Sequence, residues 1–176
     1  MRRIAVLGAG GAGKTVLANR LGDLLGIDVV HLDALRYDQR WQTVPDEQFT
    51  AAQRAVVARP LWIVDGNSLA TMAIRVAAGD TIILLDLPPL VCLYGILQRR
   101  WLYRGGQHPD GVYDRITLAF LRYVAAFRRG HRPRVLACIA EHAPHAVVHH
   151  LTSRRQANRL LIHLARYQQN AGEPDA

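Results

Sequence analysis

The run Gly8-Ala-Gly-Gly-Ala-Gly13-Lys14-Thr15 satisfies G-x-x-x-x-G-K-[ST] at every specified position. It follows an apolar stretch, Ile4 to Leu7, and precedes a helix-like one. Lys14 is the only lysine in the chain, since every other residue among the 22 Lys and Arg is an arginine. Composition alone would put an arginine here. A compact ammonium on a flexible stem suits the β- and γ-phosphate oxygens, whereas a planar guanidinium crowds the loop. The glycines let backbone N–H groups turn inward, and the helix that follows presents its positive end to the phosphates. Thr15 adds a hydroxyl suited to Mg²⁺, an ion that keeps several of its waters. The chemistry is nucleoside triphosphate binding, with ATP and Mg²⁺ as the expected cofactors. Gly8, Gly10, Gly11, Ala12, Gly13, Lys14, Thr15 and Val16 form the phosphate shell.

Open α/β sheets bind ligands outside the carboxyl ends of their strands. Three aspartates fall at predicted strand ends: Asp33, Asp65 and Asp86. Asp65 and Asp86 both follow apolar runs, so either can place a carboxylate near Mg²⁺. A turn or capping role is the alternative for each, and the Leu87-Pro88-Pro89 that follows Asp86 suits a helix start. Asp33 can accept the proton of an acceptor hydroxyl or orient the acceptor, and Arg36 can hold an anionic group on it. Arg75 is a further acceptor-side cation. Arg99, Arg100 and Arg104 cluster at the end of a predicted helix, just before Gly105 and Gly106. That is the pattern of a mobile lid whose arginines neutralise charge on a transferring phosphoryl group.

Short β-rich runs alternate with helical stretches, which marks a parallel sheet with crossover helices. Strands are expected at 4–7, 27–32, 61–64, 81–85 and 146–151. Helices are expected after the loop, from about 45 to 59, through Met72 and Val76, and over 90–103, 113–129, 133–141 and 153–167. The fold class is therefore α/β, a single domain over 1–167 with a lid at about 99–112. Residues 168–176 read as a frayed tail.

At 176 residues the chain can bury an ordinary core without disulfides or metals. Cys92 and Cys138 are isolated and read as thiols in a reducing cytoplasm. The most apolar later stretch, 81–97, is broken by Asp86 and two prolines, so no membrane span is expected. The histidine-rich segment from Glu141 to His150 lacks metal-ligand spacing. A net charge of +8 suits an anionic partner. A second basic stretch, Arg122 to Arg134, is interleaved with Phe120, Tyr123 and Phe127. It permits nucleic-acid binding, but aromatics spaced by three and four fit a helix packing its apolar face on the core, so nucleic acid is not the favoured partner. Sequence leaves the oligomeric state open.

Taken together, Gly8 to Thr15, His31-Leu32-Asp33, Asp65-Gly66-Asn67, Leu85-Asp86-Leu87-Pro88, Arg99-Arg100 and Tyr103-Arg104-Gly105 resemble the adenylate-kinase-like P-loop proteins labelled topology modulation (FlaR-like). The resemblance runs from the first strand to about Pro133. It implies a three-layer P-loop fold with a five-stranded parallel sheet ordered 2-3-1-4-5 and an arginine-bearing lid. It also implies that Asp65, rather than Asp86, reaches Mg²⁺ through water, that Arg99, Arg100 and Arg104 are the lid arginines, and that Arg154 lies near the adenine. The lid loop Gln107 to Tyr113 lacks the further arginine and acidic cluster of relatives. No Phe-Pro-Arg follows Asp65-Gly66, so AMP specificity is not implied. The expected function is Mg²⁺-dependent phosphoryl transfer from ATP to a small hydroxyl- or phosphate-bearing acceptor. The alternative is an ATP-binding regulator that contacts DNA with little turnover.

Overall fold

The computed structural model describes residues 1–38, 42–103 and 116–171. Five strands, β1 (Arg3–Gly8), β2 (Val29–His31), β3 (Trp62–Asp65), β4 (Thr81–Leu85) and β5 (Val147–Leu151), form one sheet. Its order is β2-β3-β1-β4-β5 and every pairing is parallel. This is the α/β architecture and the strand order expected from the sequence.

Central β1 is an unbroken apolar run because helices cover both faces of the sheet; Ile4 to Leu7 have no solvent exposure. β4 is buried along its whole length for the same reason. β5 lies at the sheet edge, exposes Val147 and Val148, and accommodates two histidines there.

The crossovers supply α1 (Lys14–Leu25), α2 (Leu32–Arg36), α3 (Asp46–Val57), α4 (Met72–Ala78), α5 (Pro89–Tyr103), α6 (Leu118–Gly130), α7 (Arg132–His142) and α8 (Arg154–Ala171). α1 packs with α8, while α3, α4, α7, α6 and α5 form a second chain of neighbours. Leu17, Ala18 and Leu21 are the buried apolar side chains of α1, at the three- and four-residue spacing of one helix face. Among the described residues no helix is long and apolar enough to cross a membrane.

Several boundaries differ from expectation, and α6 opens at Leu118 rather than 113, where Thr117 Oγ1 accepts from the Phe120 N–H and caps the helix. β2 ends at His31, because Leu32 is drawn into the core and opens α2. Asp33 therefore sits in the first turn of a short helix, where a carboxylate meets the positive helix end. α8 runs to Ala171, beyond the expected stop at Tyr167, since no glycine or proline interrupts it before Gly172. Residues 172–176 of the expected tail lie outside the described residues. So does 104–112, most of the expected lid, and with it Arg104.

Candidate active site

The loop between β1 and α1 leaves the carboxyl end of the central strand, beside the last residue of β3. Lys14 Nζ donates to the Ala9 carbonyl at 3.1 Å, holding the ammonium against its own loop. Thr15 Oγ1 donates to Asp65 Oδ2 at 2.7 Å, and His31 Nδ1 lies 3.2 Å from the same oxygen. Three strands thus converge on one carboxylate: β3 carries it, β1 leads to Thr15, and β2 ends in His31.

Burial by itself pushes the Asp65 carboxyl up. The His31 contact, the Lys14 charge and the Thr15 hydroxyl outweigh it and hold the carboxyl below its ordinary 3.8. Asp65 is therefore an anion at neutral pH. The stability this contributes is present above pH 3.8 and is lost as pH falls below that value. Its second oxygen, Oδ1, is buried with no hydrogen-bond partner among the described residues. An ionised oxygen so placed, next to a threonine hydroxyl, is a donor set that fits Mg²⁺ or one of its waters.

Asp86, the other candidate carboxylate, is occupied differently. Its Oδ1 accepts from Arg128 Nε at 3.1 Å, and His150 Nε2 lies 2.9 Å from Oδ2. Arg132 Nε is also 2.9 Å from Oδ2, as an ion pair whose N–H is not aimed at the oxygen. The carboxylate ties the end of β4 to α6, α7 and β5.

Two wide gaps in side-chain volume let α5 lie directly on the loop. A Cβ on Gly11 would fall 2.1 Å from the Cys92 carbonyl oxygen, and one on Gly95 would fall 2.4 Å from the Gly11 carbonyl oxygen. Gly11 also has a φ of 75°, in the left-handed region. Arg154 approaches the same spot, with Nη2 3.1 Å from where the Gly95 Cβ would be. Arg154 therefore borders the loop, at the start of α8. Arg99 and Arg100 follow Gly95 on α5 by four and five residues, about 6–8 Å along the axis. Arg99 is half-buried and Arg100 exposed.

The seam makes a counter-intuitive forecast. In an ordinary helix Gly95→Ala would gain about 1 kcal/mol of propensity. Here the new methyl meets a backbone oxygen, so α5 or the loop must shift. We expect a folded protein that binds a non-hydrolysable ATP analogue at least tenfold more weakly by calorimetry. Wild-type affinity would mean that the contact does not shape the loop.

On the acceptor side the expected residues divide. Asp33 is exposed at the start of α2. Arg36 Nη1 donates to the exposed Asp46 at 2.6 Å, and its guanidinium lies over the Phe49 ring. Arg75, expected as an acceptor-side cation, is corrected: it is fully buried, and burial pushes its pKa down to about 10. It donates to the Gly66 and Ser68 carbonyls at 3.1 and 3.3 Å, bracing the turn that follows Asp65.

Sequence reasoning assigned no site role to Asn67 or Tyr123. Asn67 Nδ2 donates to Tyr123 Oη at 2.8 Å, while its Oδ1 is buried without a partner among the described residues. Burial raises the Tyr123 pKa, as does the nearby Asp33 charge. Phe120, one turn earlier on α6, lies against the loop: a Cβ on Gly10 would fall 2.5 Å from its ring. α6 therefore touches the loop at Phe120, the β3 turn at Tyr123 and Asp86 at Arg128. The position of Asn67 immediately after Asp65-Gly66 was the one sequence signal available.

A glycine-rich G-x-x-x-x-G-K-[ST] loop at the end of the central strand of a five-stranded parallel sheet, with helices on both sides, is the arrangement of the P-loop kinase fold. Solved structures share it. A shikimate kinase from Acinetobacter baumannii, in complex with shikimate, superposes with a TM-score of 0.61 at 14% identity, covering 99% of this chain and 96% of that one. A gluconokinase from Sinorhizobium meliloti 1021 gives 0.52 at 16% identity, covering 98% of both chains. A sugar kinase from Janibacter sp. HTCC2649 gives 0.52 at 16% identity, with 97% and 93% covered. No family model matches the chain, and no curated protein matches it in sequence.

Proposed function

We propose that this protein is a Mg²⁺-dependent phosphotransferase that moves the γ-phosphoryl group of ATP to a small polyhydroxylated acceptor. The observation that carries the reading is the ionised Asp65, bonded to Thr15 through one oxygen and presenting a second, unpartnered one beside the loop. The fold adds support, because its solved neighbours are shikimate, gluconate and sugar kinases. Two of these act on hydroxylated carboxylic acids, which makes that acceptor class the first to test. On this reading the chain is a nucleotide-kinase-like member of the topology modulation (FlaR-like) group.

The loop amides from Gly8 to Gly13 and Lys14 bind the β- and γ-phosphates, and Val16 and Arg154 complete the nucleotide site. Thr15 and Asp65 would hold Mg²⁺, which when bound spreads the developing negative charge of the phosphates. Asp33 orients the acceptor and takes its hydroxyl proton as the new O–P bond forms and the β–γ bridging O–P bond breaks, releasing ADP. Arg36 must leave its exposed partner Asp46 to hold an acceptor anion, a small cost for a surface pair. Arg99, Arg100 and Arg104 neutralise the transferring group. Catalysis on this account is positioning and electrostatics.

The DNA-contacting alternative gains no specific observation. Two of the arginines it needs, Arg128 and Arg132, face Asp86, and Phe127 is buried in the core.

The test is ADP release from Mg·ATP with a panel of hydroxylated carboxylic acids, polyols, nucleosides and nucleoside monophosphates. Stimulation by one class, abolished in Lys14→Ala, is the expected result. ATP binding without stimulation by any acceptor would overturn the reading.

A further inference from the structure

α5 is apolar on two sides. One side packs inward through Cys92 and Ile96, which have no exposure. The other presents Leu90, Tyr94, Leu97 and Trp101, exposed by 80%, 62%, 61% and 81%, with Leu102 beside them at 61%. The steps of four, three and four residues are those of a seam that packs on another helix. A helix that is hydrophobic all round is normally covered all round.

The size of the stripe says what would cover it. An aromatic side chain carries about 150–250 Å² and a leucine roughly 100 Å², so at their fractional exposures the five residues present on the order of 500 Å² of apolar surface. A standard interface buries about 800 Å² per partner, a little over half of it apolar, or roughly 450 Å². The stripe alone meets that requirement and lies in the upper part of the range for the largest apolar patch on a monomer, about 300–600 Å².

We propose that α5 is a homodimer interface, in which the stripe packs antiparallel on the same stripe of a second copy. The pairing is self-complementary, as a two-fold contact requires. α5 carries no carboxylate, and Arg99 and Arg100 lie at one end of it. Antiparallel packing puts the two arginine clusters at opposite ends, whereas parallel packing would juxtapose them. A lipid surface fits less well, because a helix whose other face is fixed in the protein core cannot sink into headgroups as a free amphipathic helix does. The interface lies on the helix whose inner face contacts Gly11, so dimerisation would secure the wall of the nucleotide loop.

Sedimentation velocity of the full chain at micromolar concentrations tests this. The expected species has twice the 19.6 kDa chain mass. Leu97→Glu and Tyr94→Glu, each at an exposed position, should weaken the dimer more than tenfold while leaving the far-UV circular dichroism spectrum unchanged. Ile162→Glu on α8, also exposed, should leave the mass as it was. A wild-type monomer throughout, or a dimer indifferent to both α5 substitutions, would overturn the proposal. So would a monomer that co-sediments with mixed zwitterionic and anionic lipid vesicles through the same residues. If one glutamate variant fails to fold, the other and the wild-type mass decide.

Discussion

Lys14→Ala is expected to lower kcat/KM for ATP about a thousandfold, a loss of about 4 kcal/mol of transition-state stabilisation, while leaving the fold intact. The two effects separate because Lys14 contributes little to folding. Its bond to the Ala9 carbonyl is part-buried and worth about 1 kcal/mol at most. Its ammonium is the only lysine charge in the chain, so nothing of the same shape replaces it at the phosphates. Coupled-assay turnover and urea unfolding of the same preparation give both numbers. Turnover within tenfold of wild type would remove Lys14 from the mechanism. Lys14→Arg sharpens the test, since it keeps the charge and changes only its shape and reach.

Asp86→Ala should do the opposite, costing stability first. Removing one member of a buried ion cluster typically costs 3–5 kcal/mol because the remaining charges stay desolvated. Arg128 and Arg132 are 37% and 34% exposed and can regain water, so about 3 kcal/mol is the expected loss at pH 7. Urea denaturation measures it. Asp86→Asn discriminates between the two carboxylates, because it keeps the volume and removes only the charge. With Asp65 at the metal position, folded Asp86→Asn retains its KM for Mg·ATP. A hundredfold fall in turnover in the folded variant would give the metal role to Asp86 instead.

The glycine-rich loop was legible because its pattern is local. Eight consecutive residues specify the loop, and an unbroken apolar run before them places it on a buried strand. The sheet order was legible only through resemblance, since alternating strands and helices do not fix which strand is central. The surroundings of the Asp65 turn were less legible because their parts meet across long sequence separations. Nothing about Tyr123 in an amphipathic helix announces that its hydroxyl meets Asn67, 56 residues away. Arg75 was misread for a related reason. Its type suggested an anion ligand, but the unsatisfied carbonyls of the β3 turn claimed it, at a charge-burial cost of about 3 kcal/mol for a pKa brought down to about 10. Asp65 and Asp86 looked alike in sequence, each ending an apolar run. Resemblance alone favoured Asp65 there; in the fold the partners set them apart, Thr15 and His31 on one and Arg128, Arg132 and His150 on the other.

The contact between α5 and the nucleotide loop is made by main-chain carbonyls facing glycines. The Ile96 and Arg154 side chains flank that contact, but its closest approaches are to backbone oxygens, so at Gly11 and Gly95 a single carbon is too many. A saturation library over the loop-facing side of α5 should therefore show Gly95 intolerant of every replacement, with its neighbours graded by size. Tolerance of this kind lets a lineage rewrite most of its wall while the cradle behind it keeps its shape.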